Sequence, residues 1–459
     1  MANLIKRSKA LSVRPVKSAQ TLGAILAFQG VAGAIPILHG SQGCSAFAKV
    51  FFVRHFNEPI PLQTTAMDQI GTVMGGEANM IEGLEHLAKG SKTRMIGLIS
   101  TGLTETQGGD IDRMVATFRE GHPELAHVRV VAVHAPDFSG CLETGHGGAV
   151  RAMIDTLVKG SDGAGDGGKV RGQPPAINML VGAHLTPAEV ESLKDMVIAF
   201  GLNPLVVPDL STALDGHLGP ERYSPVTTGG VDGAWIERMG GARATLVIGD
   251  AMNDAADLLA RRTGIVDFRF SEMMGLDATD RLSMVLAEVS GNAVPERYRR
   301  QRQRLLDAML DCHFHLGGRK VALAGDPDGL LSWGALLEEV GMETPAVVTS
   351  VGTKGLAQSR FSSIRIGDLE DLEDLMRENP VHLLIGNAHV ADLGYRRHLP
   401  VVRCGYPLFD WMGGQSICRI GYEGARQTLF EMTNLLLHSG PRHPSPYRSR
   451  YATTGDKIP

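Results

Sequence analysis

Residues 177–207 read INMLVGAHLTPAEVESLKDMVIAFGLNPLVV, and this stretch decides the fold class. Ile177–Val181 is an apolar run of strand length. Thr186-Pro187-Ala188-Glu189 then supplies an N-cap, a proline at the first helical position and a glutamate three residues after the cap. Val190, Leu193, Val197 and Phe200 follow at spacings of 3, 4 and 3, which is one face of a helix, and Gly201 closes it. Pro204–Val207 is a second apolar run. Strand, helix, strand is a βαβ unit of a parallel sheet.

The same alternation extends in both directions. Upstream, Met95–Ser100 and Val128–Val133 read as buried strands, with a helix over Ile111–Glu120 between them and another over Val150–Val158. Downstream, Thr245–Ile248 and the helix Ala251–Arg262 make a further unit. In the last third, Lys320–Ala324, Ala346–Thr349, Val381–Ile385 and Val401–Arg403 read as strands, and Leu330–Val340 and Arg426–Leu437 as helices. The repeat is one of topology, without internal sequence similarity. The expected class is α/β: three Rossmann-like domains with parallel sheets flanked by helices, after an N-terminal helical segment. Ser161–Pro175 (SDGAGDGGKVRGQPP) reads as the first linker. The expected domains are therefore 1–172, 173–315 and 316–459, the last including the C-terminal helix.

Several features have bland explanations. Lys6, Arg7, Lys9, Arg14 and Lys17 precede a mostly apolar stretch, Thr21–Leu38, in the manner of a secretory signal. Gln29, Pro36 and three glycines break that stretch, so it reads as a buried helix ending in a glycine-rich loop. Gly163-xxxx-Gly168-Lys169 has Val170 where a phosphate loop needs Ser or Thr, and no strand leads into it. Glu296–Arg304 (ERYRRQRQR) continues into Leu305, Leu306, Met309 and Leu310, a helix with an apolar face and a solvated or partner-facing basic one. Asp326 and Asp328 follow a strand and read as helix caps. Gly421–Gly424 (GYEG) reads as a close backbone contact. None of the 16 histidines shows metal-ligand spacing, and no nucleophile–base constellation is evident.

Composition narrows the function classes. Over 459 residues, 43% hydrophobic and 21% charged content is ordinary for a globular chain, and a net charge of −5 points to neither nucleic acid nor an anionic membrane. The five cysteines, Cys44, Cys141, Cys312, Cys404 and Cys418, are widely spaced without a CxxC pair. They form no disulfide framework, which points to a reducing, cytoplasmic setting, and they cannot hold a metal cluster unaided.

One loop carries chemistry. In LHGSQGCSAFAKV (Leu38–Val50), Gly40 and Gly43 flank Ser41-Gln42 just before Cys44. Such a loop can turn tightly, let a thiolate approach a bulky cluster and offer main-chain N–H groups to sulfide, with His39 and Ser41 as further donors. On spacing alone, however, a lone cysteine is more often a small buried apolar residue.

HGSQGC (His39–Cys44) and AFAKVFFVRHFNEPIPLQTTAMDQ (Ala46–Gln69) resemble the N-terminal cluster loop of the nitrogenase component I β-type family, on its cofactor-biosynthesis side. STGLTETQGGD (Ser100–Asp110), APDFSGCLETG (Ala135–Gly145), GNAVPERYRRQRQRLLDAMLDCHF (Gly291–Phe314), GRKVALAGDPD (Gly318–Asp328) and RIGYEGARQTLFEMTN (Arg419–Asn434) extend the resemblance over nearly the whole chain. It implies an α2β2 heterotetramer with a sister subunit, NifE, forming a scaffold on which the iron–molybdenum cofactor is assembled. The precursor would be held mainly by the sister. A 4Fe–4S cluster at each unlike interface would take three cysteines from the sister and Cys44 from this chain. The nitrogenase Fe protein would dock transiently. No catalytic residue is implied here, and the chain is not expected to be an enzyme by itself.

The rival within the family is the catalytic β-subunit, whose larger interface cluster takes three cysteines and a serine from this type of chain. Here Pro59–Gln69 has no cysteine, Gly102 stands where the third is expected, and Cys141 stands in the serine's place. These departures favour the scaffold. They leave Cys141 as a nearby unligated thiol and Cys312, Cys404 and Cys418 as structural. The rival from another class, a stand-alone nucleotide- or sugar-handling Rossmann enzyme, lacks a glycine fingerprint after a strand with an acidic residue downstream.

Overall fold

The computed structural model describes residues 1–439 except 8, 10, 11, 69, 70, 72–75, 91, 160–173 and 219–223. Most of the expected first linker, and the whole of Gly163–Lys169, lies outside the described residues.

The chain opens with a short strand, β1 (Asn3–Lys6), which the sequence reading does not find. Three sheets follow. The first holds β2 (Ala34–His39), β3 (Gln63–Thr64), β4 (Met95–Ser100) and β5 (Arg129–Val133), in the order β3-β2-β4-β5. The second holds β6 (Ala176–Val181), β7 (Asn203–Val207), β8 (Thr245–Ile248) and β9 (Asp267–Phe270), in the order β7-β6-β8-β9. The third holds β10 (Lys320–Ala324), β11 (Glu343–Thr349), β12 (Ser363–Ile366), β13 (Leu383–Gly386) and β14 (Val401–Arg403). Its order is β1-β12-β11-β10-β13-β14, so the N-terminal strand lies at the edge of the C-terminal sheet. Every pairing is parallel. The central strands β2, β4, β8 and β13 are buried throughout, as helices on both faces of a sheet require. The α/β class with three parallel sheets flanked by helices is thus the observed one. Among the described residues no helix is long and apolar enough to cross a membrane.

Thr21–Leu38 departs from the expectation. The helix there ends early, spanning Gln20–Gln29, and Ala34–Leu38 belongs to β2. Gly33 turns the chain with a φ of 69°. Pro36 is tolerated in a central strand because of where its peptide group points. Leu38 O accepts from Thr65 N and Ala34 O from Thr227 N, so Ala34, Pro36 and Leu38 face the side of β3. β3 is two residues long and pairs only with Ile37 and Leu38, so Pro36 has no ladder bond to make.

Glycines set the closest helix crossing. A Cβ on Gly23, in Gln20–Gln29, would lie 1.8 Å from Leu142 O, and one on Gly145, in the helix Leu142–Leu157, would lie 1.9 Å from Gln20 O. The closing helix spans Gly421–His438, so GYEG forms its first turn. There a Cβ on Gly424 would lie 2.6 Å from the Arg419 carbonyl carbon. The basic run lies on the helix Glu296–Leu316, which buries Leu305 and Cys312 and pairs Arg302 with Asp280 at 2.8 Å.

Buried carboxylates fasten the sheets together. The cap read from Thr186 and Glu189 is present: Glu189 N donates to Thr186 Oγ1 at 3.2 Å, and Thr186 N to Glu189 Oε2 at 2.9 Å. The other Glu189 oxygen accepts from Arg419 N at 2.9 Å, ahead of the closing helix. Glu143, on Leu142–Leu157, accepts from Asp328 N at 2.7 Å and Gly329 N at 3.1 Å, the first turn of the helix Pro327–Glu339. Asp328 in turn accepts from Asp250 N at 3.0 Å and Ala251 N at 3.1 Å, just beyond β8. The cap expectation for Asp326 and Asp328 therefore needs correcting. Asp326 occupies the N-cap place without a capping bond from its side chain, and Asp328 caps a turn of the second sheet's layer instead of its own helix.

Two predictions follow from this packing. Gly145→Ala is expected to lower the unfolding free energy by about 1–3 kcal/mol through overpacking. Gly148→Ala, on the same helix with nothing within 4 Å of its Cβ, should raise it by roughly 0.5–1 kcal/mol. Urea unfolding of the purified chain measures both, and equal effects would contradict the close crossing. By the same assay Glu189→Gln, which sets an amide against one of two buried backbone donors, should cost about 1–3 kcal/mol.

Candidate cluster-ligand loop

β2 ends at His39, and Ser41 then occupies the N-cap position, without a side-chain capping bond, of a helix spanning Gln42–Phe56. Hydrogen bonds pin the turn between them. Gly40 N donates to Thr65 Oγ1 at 3.2 Å, Met67 N to Gly40 O at 3.0 Å, and Thr101 Oγ1 to His39 O at 2.9 Å. Gly40 has to be glycine, because its Cβ would lie 2.6 Å from Thr101 Oγ1. Gly43 differs: a Cβ there would meet nothing nearer than Ser41 Oγ at 4.0 Å. Among the described residues, the space above Gly43 is open.

Cys44 is the third residue of this helix and is exposed. Its neighbours in the first helical turn have N–H groups without intrahelical acceptors, and that end of the helix dipole favours negative charge. Ser41 Oγ lies 3.4 Å from the sulfur. His39 does not share that role. It is buried, with Nδ1 3.1 Å from Thr65 Oγ1, and burial lowers its pKa to about 4.

The other cysteines are withdrawn. Cys141 is buried at the N-cap of Leu142–Leu157, where burial, then Asp326 and Glu143, push its thiol far above the ordinary range. Burial likewise pushes Cys404 and Cys418 up to about 12. Cys312 is buried under the basic helix. At Gly102 a Cβ would lie 2.1 Å from Asp137 Oδ1, so a cysteine there would displace that carboxylate. Of the five thiols, Cys44 alone is presented to the outside.

Exposed apolar side chains share its helix face, which the sequence reading misses. Phe47 is 80% and Val50 54% exposed, and spacings of three place both on the helix face that carries Cys44. Trp411 and Met412 are exposed at the opposite end of the helix, with Met412 Sδ 3.8 Å from Asn57 Nδ2. The signal lay in FAKVFFV, whose apolar residues occur all round the helix and exceed what one buried face needs.

Comparison with known proteins places the chain. A family model described as nitrogenase component 1 type oxidoreductase matches residues 19–437. The nitrogenase iron-molybdenum cofactor biosynthesis protein NifN of Bradyrhizobium diazoefficiens is 39% identical over 456 residues, 99% of this chain and 96% of that protein. The protein of the same name from Klebsiella pneumoniae is 40% identical over 458 residues, 98% of this chain and 96% of its own. A solved chain described as nitrogenase Cp1 at pH 6.5 superposes with a TM-score of 0.89 at 27% identity, covering 96% of each chain. A second, from nitrogenase Cp1 at pH 5, shares the fold with a TM-score of 0.67 at 13% identity, over 95% of this chain and 90% of that one. On likeness of that extent, the chain belongs to the nitrogenase component 1 type oxidoreductase family, on the branch of the NifN proteins.

Proposed function

We propose that this chain serves the biosynthesis of the nitrogenase iron–molybdenum cofactor, as one subunit of an α2β2 scaffold with a NifE-type sister. In this reading Cys44 gives one thiolate to a 4Fe–4S cluster shared across the interface. The names of the relatives support the first part. One observation carries the second: the only outward-facing thiol stands at a helix start, beside open space over Gly43 and an exposed apolar face. The residues present fit a one-ligand share of such a cluster and no more, because the remaining thiols are buried or half-buried. When bound, the cluster supplies one-electron transfer.

The chain's own contribution is positional. The pinned turn at Gly40 fixes where the sulfur stands, and Ser41 can donate to it. Phe47 and Val50 would be covered by the sister chain, at about 1.5–3 kcal/mol for each large apolar side chain fully buried. The cofactor precursor is held mainly by the sister, the Fe protein docks transiently, and the assembly works in the cytoplasm. The division into domains 1–172, 173–315 and 316–459 belongs to the same reading, with β1 lent to the last.

Cys44→Ala in the complex purified anaerobically with its sister is expected to remove about four irons per αβ pair and the corresponding paramagnetic signal of the reduced cluster. An unchanged iron count and spectrum would end the ligand assignment. Phe47→Glu combined with Val50→Glu should abolish co-purification with the sister while leaving the melting temperature of the isolated chain unchanged. An intact complex would show that another surface makes the interface.

A further inference from the structure

Where the three sheets meet, Glu143, His184 and Asp328 each bring a potential ligand atom to within 4.8 Å of the others. They come from separate parts of the chain: the start of the helix Leu142–Leu157, the loop after β6, and the first turn of the helix Pro327–Glu339. Glu143 is 3% and Asp328 1% exposed, and the His184 side chain 5%.

The histidine is what distinguishes this cluster from a set of caps. Among the described residues, neither ring nitrogen of His184 has a hydrogen-bond partner. Nδ1 points at Asp328 Oδ2 from 4.0 Å, too far for a hydrogen bond. A buried polar group left without a partner is costly and therefore rare. Burial, then neighbouring His146, lowers the His184 pKa to about 3, so the ring is neutral and offers a nitrogen lone pair.

The carboxylates show the matching deficit. Each Glu143 and Asp328 oxygen takes one backbone N–H and keeps a lone pair. Half-buried Asp326 adds a third carboxyl, whose Oδ1 is buried and has no partner among the described residues. The basic group that acts on this set is Lys17, through Asp326. Burial first, then Asp328 acting on Asp326 and Asp250 acting on Asp328, pushes both carboxyls up to about 7. The junction thus gathers three carboxyl groups, each short of a compensating cation, around an unused imidazole. A cavity of about 70 Å³, lined by Glu143, His184, Asp326, Gly329 and Asn387, leaves room for water.

We propose that Glu143, His184 and Asp328 form a mononuclear site for a divalent first-row transition cation. The chain gives one nitrogen and two carboxylate oxygens, and water in the cavity completes the shell. Imidazole selects such ions over magnesium and calcium. Cys404 also borders the cavity, but it is not among the groups whose ligand atoms lie within 4.8 Å of one another. With one ligand from each third of the chain, the ion would brace the three sheets against one another. This site is independent of the role given to Cys44.

The test uses the full chain, washed with chelator under anaerobic conditions and titrated with Mn2+. Electron paramagnetic resonance follows the loss of the free aqua-ion signal, and Zn2+ serves as competitor. The chain itself and Cys44→Ala should each bind about one Mn2+ that Zn2+ displaces, and the bound ion should raise the melting temperature. His184→Gln should weaken binding by at least about tenfold. Because His184 makes no hydrogen bond, that variant should melt with the wild type in chelator, which separates ligand loss from misfolding. Failure of the folded chain to bind, equal binding by His184→Gln, or loss of binding in Cys44→Ala would each overturn the site.

Discussion

Carboxylates taken out of water to satisfy backbone N–H groups in another layer hold this molecule together. Glu143 reaches from the first sheet's helices to the helix that follows β10. Asp328, on that helix, reaches to the turn after β8. Glu189 closes its own helix with one oxygen and holds the backbone at Arg419 with the other. Each such bond contributes on the order of 1 kcal/mol, and losing one leaves a buried donor bare. The apolar cores follow the same plan, since one continuous cluster spans the second and third sheets and another the first and second. The sheets are distinct as topology and joined as packing.

This explains which parts of the structure could be read in advance. The helix Pro187–Ala199 was legible because cap, proline, apolar face and closing glycine all lie within a few residues. The second bond of Glu189 was not, because its donor lies more than two hundred residues away. Ala34–His39 misled for a related reason: proline argues against a central strand until the neighbouring strand is known to be two residues long. The sheet-junction carboxylates failed as a pattern because each belongs to a different third of the chain, and only tertiary structure makes them neighbours.

Cys44 was legible in another way. Its spacing is silent, and the motif around it spoke only through likeness to a family. The fold adds what neither could: the sulfur faces outward, its helix presents apolar side chains to the same side, and the other thiols have been drawn inward. In Cys141 and Cys404 that withdrawal also silences the sulfur chemically, since both are kept protonated by burial.

The position of β1 has a bearing on how the chain reaches this state. Asn3–Lys6 pairs with Ser363–Ile366, and Arg7 reaches Asp368 at 2.9 Å. During synthesis Asn3–Lys6 therefore finds no partner until Ser363–Ile366 has been made. The first sheet can form early on the ribosome, whereas the last must recruit its outer strand from the far end of the chain. Such long-range pairing is slow, and it leaves an unpaired strand edge on β12 during the wait. A polypeptide cut short before Ser363 would thus leave Asn3–Lys6 without the strand it pairs with, and the third sheet without its outer member.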